Sequence, residues 1–307
     1  MHRLSIFVVI AAAAIGTTIS LPALAQNSTA ASQDAELKAM LLKKNVYTKL
    51  YNETLSFDSS WGRYASWVDL KRGPTGKERY IDYGIYSVNI DSVHRAVADA
   101  APLTTQDPKI PELDGAVQDL LGLLDPAMPV INAASAYYDR RDYKDDGAKL
   151  GREYHGKLMA MMPPIMATRE RISQQIDALS DQLDERELAM IEQADGKRYH
   201  WHARRVLSKA RKLALFIDST LPKSRLPDLD KAIASYAGAV REFDDYLATP
   251  DAQHGILDTL PRSFLAKMRE VRDEVARGQR PGGVMGTTFI VNEYNMMIGT
   301  FGRGPFH

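Results

Sequence analysis

The chain has 307 residues, of which 45% are hydrophobic and 25% charged, and its 39 Lys and Arg are balanced by 39 Asp and Glu. This composition is typical of a folded protein and excludes a disordered or collagen-like chain. The absence of cysteine excludes a disulfide framework and thiol catalysis. A net charge of zero argues against a nucleic-acid-binding protein, whose surface would be basic.

The first 25 residues have the pattern of a secretory signal peptide. His2 and Arg3 give a positive start, residues 4–14 form an apolar run too short to span a bilayer, and residues 23–25 fit the cleavage site of a signal peptidase. We therefore expect cleavage after Ala25 and a periplasmic location. Since the chain has no cysteine for lipid attachment and no later apolar run of about 18 residues, we expect neither a lipoprotein anchor nor a transmembrane segment.

Apolar residues recur every three or four positions along most of the remaining chain, a spacing typical of amphipathic helices. After a flexible polar stretch over 26–33, the spacing predicts one long helix, or two in succession, over 34–70. The chain should bend or kink near Pro126, Pro129 and Pro163-Pro164, because proline lacks an amide donor and clashes with the preceding turn. The other predicted helices lie over 81–97, 113–131, 229–247, about 256–275 and 289–298.

No segment alternates apolar and polar residues with a period of two, so we expect almost no β-sheet. The sequence therefore predicts an all-α fold, a bundle of long antiparallel helices kinked at prolines. Residues 34–307 are predicted to form a single helical domain. A division into two subdomains near Pro163-Pro164 or Pro222 stays open at this stage.

The most regular helical pattern lies at the centre of the chain, where apolar seams over 172–190 and 199–217 flank Asp195-Gly196. The segment 177–195 carries seven acids and one arginine, whereas 197–212 carries seven Lys or Arg and no acid. If the glycine turns the chain back, the two charged helices lie side by side and neutralise each other, which is the interpretation we favour. The alternative is a basic surface for an acidic partner or an anionic membrane, formed by Lys197, Arg198, Arg204, Arg205, Lys209 and Lys212.

A second candidate site lies in the segment DYKDDGAKLGRE. Read as an EF-hand loop, it places Asp142, Asp146 and Glu153 at positions one, five and twelve, but Lys144 at position three would repel a cation. We favour an acidic cap on the following helix. The alternative is a small-ligand or cation site lined by Tyr137, Tyr138, Asp142, Asp146 and Glu153.

Aromatic residues recur at intervals of three in two places. The two series are Trp61, Tyr64 and Trp67, and Tyr80, Tyr83 and Tyr86. Exposed aromatic faces can stack on sugar rings, whereas the same spacing on a helix produces a buried face. The helical interpretation favours burial of both series in the core.

No established catalytic or cofactor-binding motif is present in the sequence. It contains no GxSxG, SxxK, GxGxxG or HExxH pattern and no Walker lysine. His200 and His202 lie about 200° apart on a helix, and His94, His155 and His254 have no histidine at i+4, so none of them is a promising metal ligand. We therefore predict no catalytic residue, no metal site and no cofactor.

Three segments of the chain resemble a known family. The segment AYYDRRDYKDDGAKLGREYHGKLMAMM over 136–162 has paired tyrosines, an acidic turn and a helix with a histidine, while NVYTKLYNETL over 45–55 and VNEYNMMIGTF over 291–301 are similar to the family's first and last helices. On these segments the chain resembles the YiiG-like family of bacterial envelope proteins, a domain of unknown function. The resemblance implies a mostly helical, exported protein with no assigned activity. Many members look like lipoproteins with a cysteine at the cleavage site, where this chain has Gln26.

Together these features predict a non-enzymatic binding protein of the periplasm or envelope, with an envelope protein or polymer as its partner and no nucleic-acid partner. The alternative function is the binding of a small ligand or cation in the periplasm. The oligomeric state stays open.

Overall fold

The computed structural model describes residues 26–218, 220–282 and 287–301, without the side chains of residues 26–31, 33, 256, 300 and 301. The predicted signal peptide over 1–25 lies outside the described residues. Residues 42–180 form one compact unit, the 42–180 unit. Residues 26–41 and the residues after 180 form the other, the C-terminal unit.

Most of the described residues lie in α-helices. In chain order the helices are α1 (Gln26–Glu53), α2 (Leu55–Ala65), α3 (Ile90–Ala100), α4 (Pro111–Asp139), α5 (Tyr143–Asp146), α6 (Lys149–Asp195), α7 (Tyr199–Ala214), α8 (Leu226–Leu247), α9 (Leu260–Arg277) and α10 (Thr288–Phe301). Short 3-10 helices lie at Ile81–Tyr83, Ala101–Thr105, Lys223–Arg225 and Ile256–Asp258. No β-strand occurs in the ranges that the structure describes, and the prediction of an all-α helical fold is confirmed.

The largest differences between the observed helix boundaries and the sequence prediction lie at two places. The polar stretch over 26–33 is helical, because α1 already begins at Gln26. The prediction of a helix over 81–97 is wrong for its first half. A 3-10 turn occupies Ile81–Tyr83, Gly84 has a φ of +57°, and α3 begins only at Ile90. The aliphatic residues Ile81, Ile85 and Val88 of this irregular segment are nevertheless buried.

Two helices continue through internal prolines. Pro126 and Pro129 lie inside α4, and Pro163 and Pro164 lie inside α6, which is 47 residues long. Among the described residues, no helix combines the length and the apolar character that crossing a bilayer requires.

A buried arginine holds α6 against the junction of α1 and α2 within the 42–180 unit. Arg169 of α6 is 1% exposed, and its guanidinium lies 4.0 Å from the ring centroid of Tyr51. It donates hydrogen bonds to the backbone carbonyl of Tyr51 (2.9 Å), to the carboxylate of Asp58 (2.9 Å from Nε) and to the hydroxyl of Thr54. The guanidinium thus satisfies polar groups that are left where one helix ends and the next begins.

Four helices of the C-terminal unit surround a common apolar core. Helix α7 packs against α8, α8 against α9, α9 against α10, and α10 against α7. Each contributes large buried side chains, among them Leu213 of α7, Tyr236 and Phe243 of α8, Phe264 and Met268 of α9, and Tyr294 and Met297 of α10. Burial of this apolar surface is the main source of stability in such a helical cluster.

Candidate functional site

Six of the seven basic residues over 197–212 form ion pairs with acids of their own chain. Gly196 has a φ of +75°, and α6 ends at the residue before it. The ion pairs of these basic residues include Lys197–Glu192 (3.4 Å), Arg198–Asp195 (3.8 Å), Arg204–Asp184 (2.8 Å), Arg204–Glu187 (2.6 Å), Arg205–Glu242 (3.0 Å), Arg211–Asp184 (3.5 Å), Arg211–Asp181 and Lys212–Asp181 (3.4 Å). The sequence interpretation of two neighbouring helices that neutralise each other therefore agrees with the geometry.

One of the predicted surface residues is not on the surface. Arg204 is only 3% exposed, so its assignment to a partner-binding face was wrong. Although burial by itself disfavours the charged form, the carboxylates of Glu187 and Asp184 raise the pKa of Arg204 above its usual value. The sequence pattern does not determine this burial, because an arginine on a helix can face either solvent or a neighbouring acidic helix. Lys209 is half-buried.

The residues of the predicted small-ligand site are divided between the core and the surface. Tyr137 and Tyr138 are 0% and 1% exposed, whereas Glu153 is exposed. Asp146 accepts hydrogen bonds from the hydroxyl of Tyr137 and from the backbone N–H of Leu150, both at 2.9 Å. Desolvation acts in the opposite direction, but these two hydrogen bonds lower the pKa of Asp146. Asp146 therefore caps the start of α6, as the favoured interpretation predicted.

Asp142 has a different contact from Asp146. Its carboxylate accepts two hydrogen bonds from the guanidinium of Arg140, the shorter at 2.6 Å. Among the described residues, no group of three or more His, Asp or Glu is arranged so that it could hold a metal ion. The contacts of these residues are those of a packed core and a capped helix, and they give no support to a calcium loop.

The first aromatic series contributes to a buried aromatic cluster of the 42–180 unit. Tyr64 is 0% exposed, and its ring lies 5.2 Å from that of Trp67, which in turn lies 5.2 Å from that of Tyr138. The hydroxyl of Tyr64 is 3.0 Å from Nδ1 of His155, and desolvation lowers the pKa of this histidine. The predicted burial is thus confirmed for Tyr64 and Trp67, while Trp61 is partly exposed.

The second aromatic series lies on the surface, and the prediction that it is buried was wrong. Tyr80, Tyr83 and Tyr86 are 42%, 47% and 49% exposed. The rings of Tyr80 and Tyr83 stack with their centroids 5.1 Å apart and their planes at 24°. A 3-10 turn has three residues per turn, so side chains at i and i+3 lie above one another. The interval from Tyr80 to Tyr83 therefore reflects a 3-10 turn, while Tyr86 lies beyond that turn in an irregular segment.

Two arginines extend this stack. The guanidinium of Arg63 lies 4.2 Å from the ring centroid of Tyr86 and 5.5 Å from that of Tyr83, and it donates a hydrogen bond of 2.6 Å to the hydroxyl of Tyr86. The guanidinium of Arg79 lies 5.1 Å from the ring centroid of Tyr80. These five side chains form a continuous surface feature that we call the tyrosine–arginine ladder.

The backbone beneath the ladder is anchored to the neighbouring helices. The indole N–H of Trp67 donates to the carbonyl of Gly84 at 2.7 Å. The side-chain amide of Asn132 on α4 accepts from the N–H of Val88 (2.8 Å) and donates to its carbonyl (3.0 Å). The exposed rings therefore stand on a segment whose backbone groups are bound on both sides of Tyr86.

Gly84 gives a direct test of this anchoring. Its φ of +57° and ψ of −137° favour glycine, and a Cβ there would lie 2.8 Å from Cβ of Tyr138. We expect Gly84→Ala to lower the free energy of unfolding by at least about 2 kcal/mol, through backbone strain and overpacking. Urea denaturation followed by circular dichroism measures the change.

Gly122→Ala is the matched control for this substitution. Gly122 lies inside α4, and a Cβ there would meet nothing within 4 Å. We expect this variant to gain about 0.5–1 kcal/mol, because alanine is the better helix former. Equal stability of the two variants would contradict the close approach of Gly84 to Tyr138.

Arg63 and Arg79 were missed by sequence reasoning. Arg63 lies on α2, and a contact with a ring some twenty positions away leaves no periodic trace in the sequence. One feature of the sequence does indicate that the three tyrosines are not on a buried helix face. Gly84 interrupts the predicted helix between Tyr83 and Tyr86, and glycine inside a helical pattern weakens that assignment.

The whole ladder lies in a region of the chain that matches the model of a known protein family. Residues 38–276 match the model of a family described as "Protein of unknown function (DUF3829)". The chain belongs to the DUF3829 family. The match covers more than half of the chain and includes α2 to α9.

A curated relative of this DUF3829 member supports the same relationship. The chain is 28% identical over 202 residues to "Uncharacterized protein YiiG" of Escherichia coli (strain K12). The aligned part is 62% of this chain and 56% of the relative, so the chain spans a little over half of that protein's length. The resemblance to the YiiG-like family is therefore confirmed. No solved structure matches this DUF3829 member.

Proposed function

We propose that this DUF3829 member is an exported, non-enzymatic binding protein of the bacterial envelope, and that the tyrosine–arginine ladder is its binding face. One observation carries the proposal: three tyrosines, each more than 40% exposed, are stacked with two arginines on an anchored backbone segment. The proposal of export rests on the signal-peptide pattern of residues 1–25.

The residue types of the ladder favour a role in recognition. Tyr and Arg are enriched among the residues that contribute most to binding energy in protein interfaces. Tyrosine offers a large contact area with few rotatable bonds, and stacking restricts these rings further before any partner arrives. The basic run after Gly196 is a weaker candidate, because acids of the same chain already neutralise most of it.

A photo-crosslinking experiment tests the binding face in cells. A photoreactive phenylalanine analogue replaces Tyr83 or Tyr86 in the full chain, and cells are irradiated before fractionation. We expect a mature chain that begins at Gln26 in the periplasmic fraction, and a discrete crosslinked adduct from both ladder positions.

Phe289 is the control position for the crosslinking. It is 51% exposed on α10, outside the ladder, so it tests whether any exposed ring would crosslink. An adduct of the same size at Phe289, or no adduct at Tyr83 and Tyr86, would contradict the proposed face. Finding the chain in the cytoplasmic fraction with residues 1–25 still attached would contradict export.

A further inference from the structure

We infer that the ligand of the tyrosine–arginine ladder is an acidic, extended segment of a partner protein. This inference rests on the proposed function and adds the chemical class of the partner. Three features of the ladder support the inference. They are its exposed hydrogen-bond donors, the positive charge of the surrounding segment and the fixed position of its backbone.

The stacked arrangement leaves edges and donor groups exposed. Tyr80 and Tyr83 each have two planar neighbours, since they stack on one another and each also contacts a guanidinium. These contacts leave less open ring face on Tyr80 and Tyr83 than an isolated exposed tyrosine has. A sugar ring needs an open aromatic face to stack on, whereas a carboxylate needs N–H and O–H donors. All five side chains of the ladder carry such donors, whereas the ring of Tyr86 contacts a single planar group, the guanidinium of Arg63.

Two of the three acids between residues 63 and 86 accept hydrogen bonds from their own segment, while the third, Asp82, is exposed. The carboxylate of Asp69 accepts from the N–H groups of Lys71 (2.9 Å) and Arg72 (3.3 Å). The carboxylate of Glu78 accepts from the hydroxyl of Thr75 at 2.7 Å and from the N–H of Gly76 at 3.0 Å. Both groups have a lowered pKa, although desolvation acts against this shift for each of them. These carboxylates therefore do not compete for the ladder guanidinium groups.

The segment that bears the ladder is cationic. Between residues 63 and 86 there are five Lys or Arg and three Asp or Glu. The cations are Arg63, Lys71, Arg72, Lys77 and Arg79, of which all but the partly buried Arg63 are exposed. The exposed guanidinium of Arg79 beside the ring of Tyr80 can bind a carboxylate in a two-pronged hydrogen bond. Arg63 already donates from Nε to the carbonyl of Tyr83 and from Nη1 to the hydroxyl of Tyr86, so it contributes its positive charge and its remaining N–H groups.

The fixed backbone lowers the entropic cost of binding. In addition to the contacts of Gly84 and Val88, the hydroxyl of Ser60 donates to the carbonyl of Tyr86 at 2.8 Å. The partner therefore meets rings and guanidinium groups that are already in position. An extended acidic segment can place successive carboxylates along such a row.

The test uses purified chain from Gln26 onward and a fluorescent oligoglutamate peptide, with oligoglutamine and oligogalacturonate as comparison probes. Binding is followed by fluorescence anisotropy at low and high salt. We expect oligoglutamate to bind, oligoglutamine not to bind, and the affinity to fall as salt is added. The double variant Arg63→Gln with Arg79→Gln should bind oligoglutamate at least about ten-fold more weakly than the wild type, because it removes both charged donors.

Arg95→Gln is the matched control for the arginine variants. Arg95 is exposed on α3, so this variant loses a positive charge without touching the ladder, and its affinity for oligoglutamate should be unchanged. If circular dichroism shows that the double variant is unfolded, Arg79→Gln alone carries the test, since Arg79 is exposed and its loss should still weaken binding.

Three results would overturn the inference. The first is the absence of oligoglutamate binding, the second is equal binding by the wild type and the ladder variants, and the third is a preference for oligogalacturonate, which would indicate an acidic glycan. If crosslinks form at Tyr83 in cells while oligoglutamate is not bound, the acidic-segment inference fails and the proposed binding face stands.

Discussion

Replacing Asp114 with alanine is expected to lower the free energy of unfolding of the 42–180 unit by about 3–5 kcal/mol. Asp114 is 5% exposed, and its carboxylate accepts hydrogen bonds from the ammonium of Lys43 (2.9 Å), the hydroxyl of Tyr47 (2.7 Å) and the N–H of Ile110 (2.8 Å). Alanine would leave all three donors without this acceptor. The largest part of the loss comes from Lys43, which is 3% exposed and would lose its counter-ion.

The remaining contacts of Lys43 do not replace a charge. Its ammonium also donates to the backbone carbonyls of Gln106 and Pro108, each at 3.0 Å. Combining Asp114→Ala with Lys43→Met should recover part of the lost stability, because no unpaired charge is then buried. The measurement is urea denaturation followed by the fluorescence of Trp61 and Trp67, in a Trp201→Phe background.

An exposed ion pair on the same helix provides the comparison. Lys49 and Asp99 are 2.7 Å apart, with side chains about half exposed. Lys49→Met should cost less than about 1 kcal/mol, since water screens such a pair. A loss from Asp114→Ala as small as that from Lys49→Met would contradict the buried position of the Lys43–Asp114 pair.

The second large effect is expected in the C-terminal unit. Arg204→Met should lower its free energy of unfolding by about 3 kcal/mol, because two largely buried carboxylates lose their shortest ion pairs, although Asp184 keeps a longer one of 3.5 Å to Arg211. Arg204 lies 2.8 Å from Asp184 and 2.6 Å from Glu187, whose side chains are 6% and 15% exposed. Methionine fills a similar volume, so lost packing contributes little. Urea denaturation followed by the fluorescence of Trp201 measures the change.

Lys212→Met is the control for this variant. Lys212 pairs with Asp181 at 3.4 Å on the exposed side of the same two helices, and we expect its loss to cost less than about 1 kcal/mol. Adding Asp184→Asn and Glu187→Gln to Arg204→Met should restore part of the stability, because the buried charges are then removed together. Equal costs for Arg204→Met and Lys212→Met would contradict the burial of Arg204.

Local patterns in the sequence determined most of the helical architecture. Apolar residues at intervals of three or four predicted most of the helices, because helix formation depends on neighbours within one or two turns. The predicted helices correspond to α1 and α2, which were treated as one region, to α4, and to α6, α7, α8, α9 and α10. Gly196 ended α6 as expected, since glycine readily adopts a positive φ. The opposite charges on either side of it predicted the ion pairs of α6 with α7. The acids before α6 predicted an acidic cap, which Asp146 supplies.

Only the tertiary structure decided which side chains are exposed in the irregular segment between α2 and α3. Tyr64 and Tyr83 belong to series with the same spacing, yet one is buried and the other is almost half exposed. The difference arises because Asn132, 44 positions from Val88 in the chain, and Trp67 fix the backbone so that the second series faces outwards. Contacts between residues so distant in sequence leave no periodic signal, and the ladder therefore became visible only when the chain was folded.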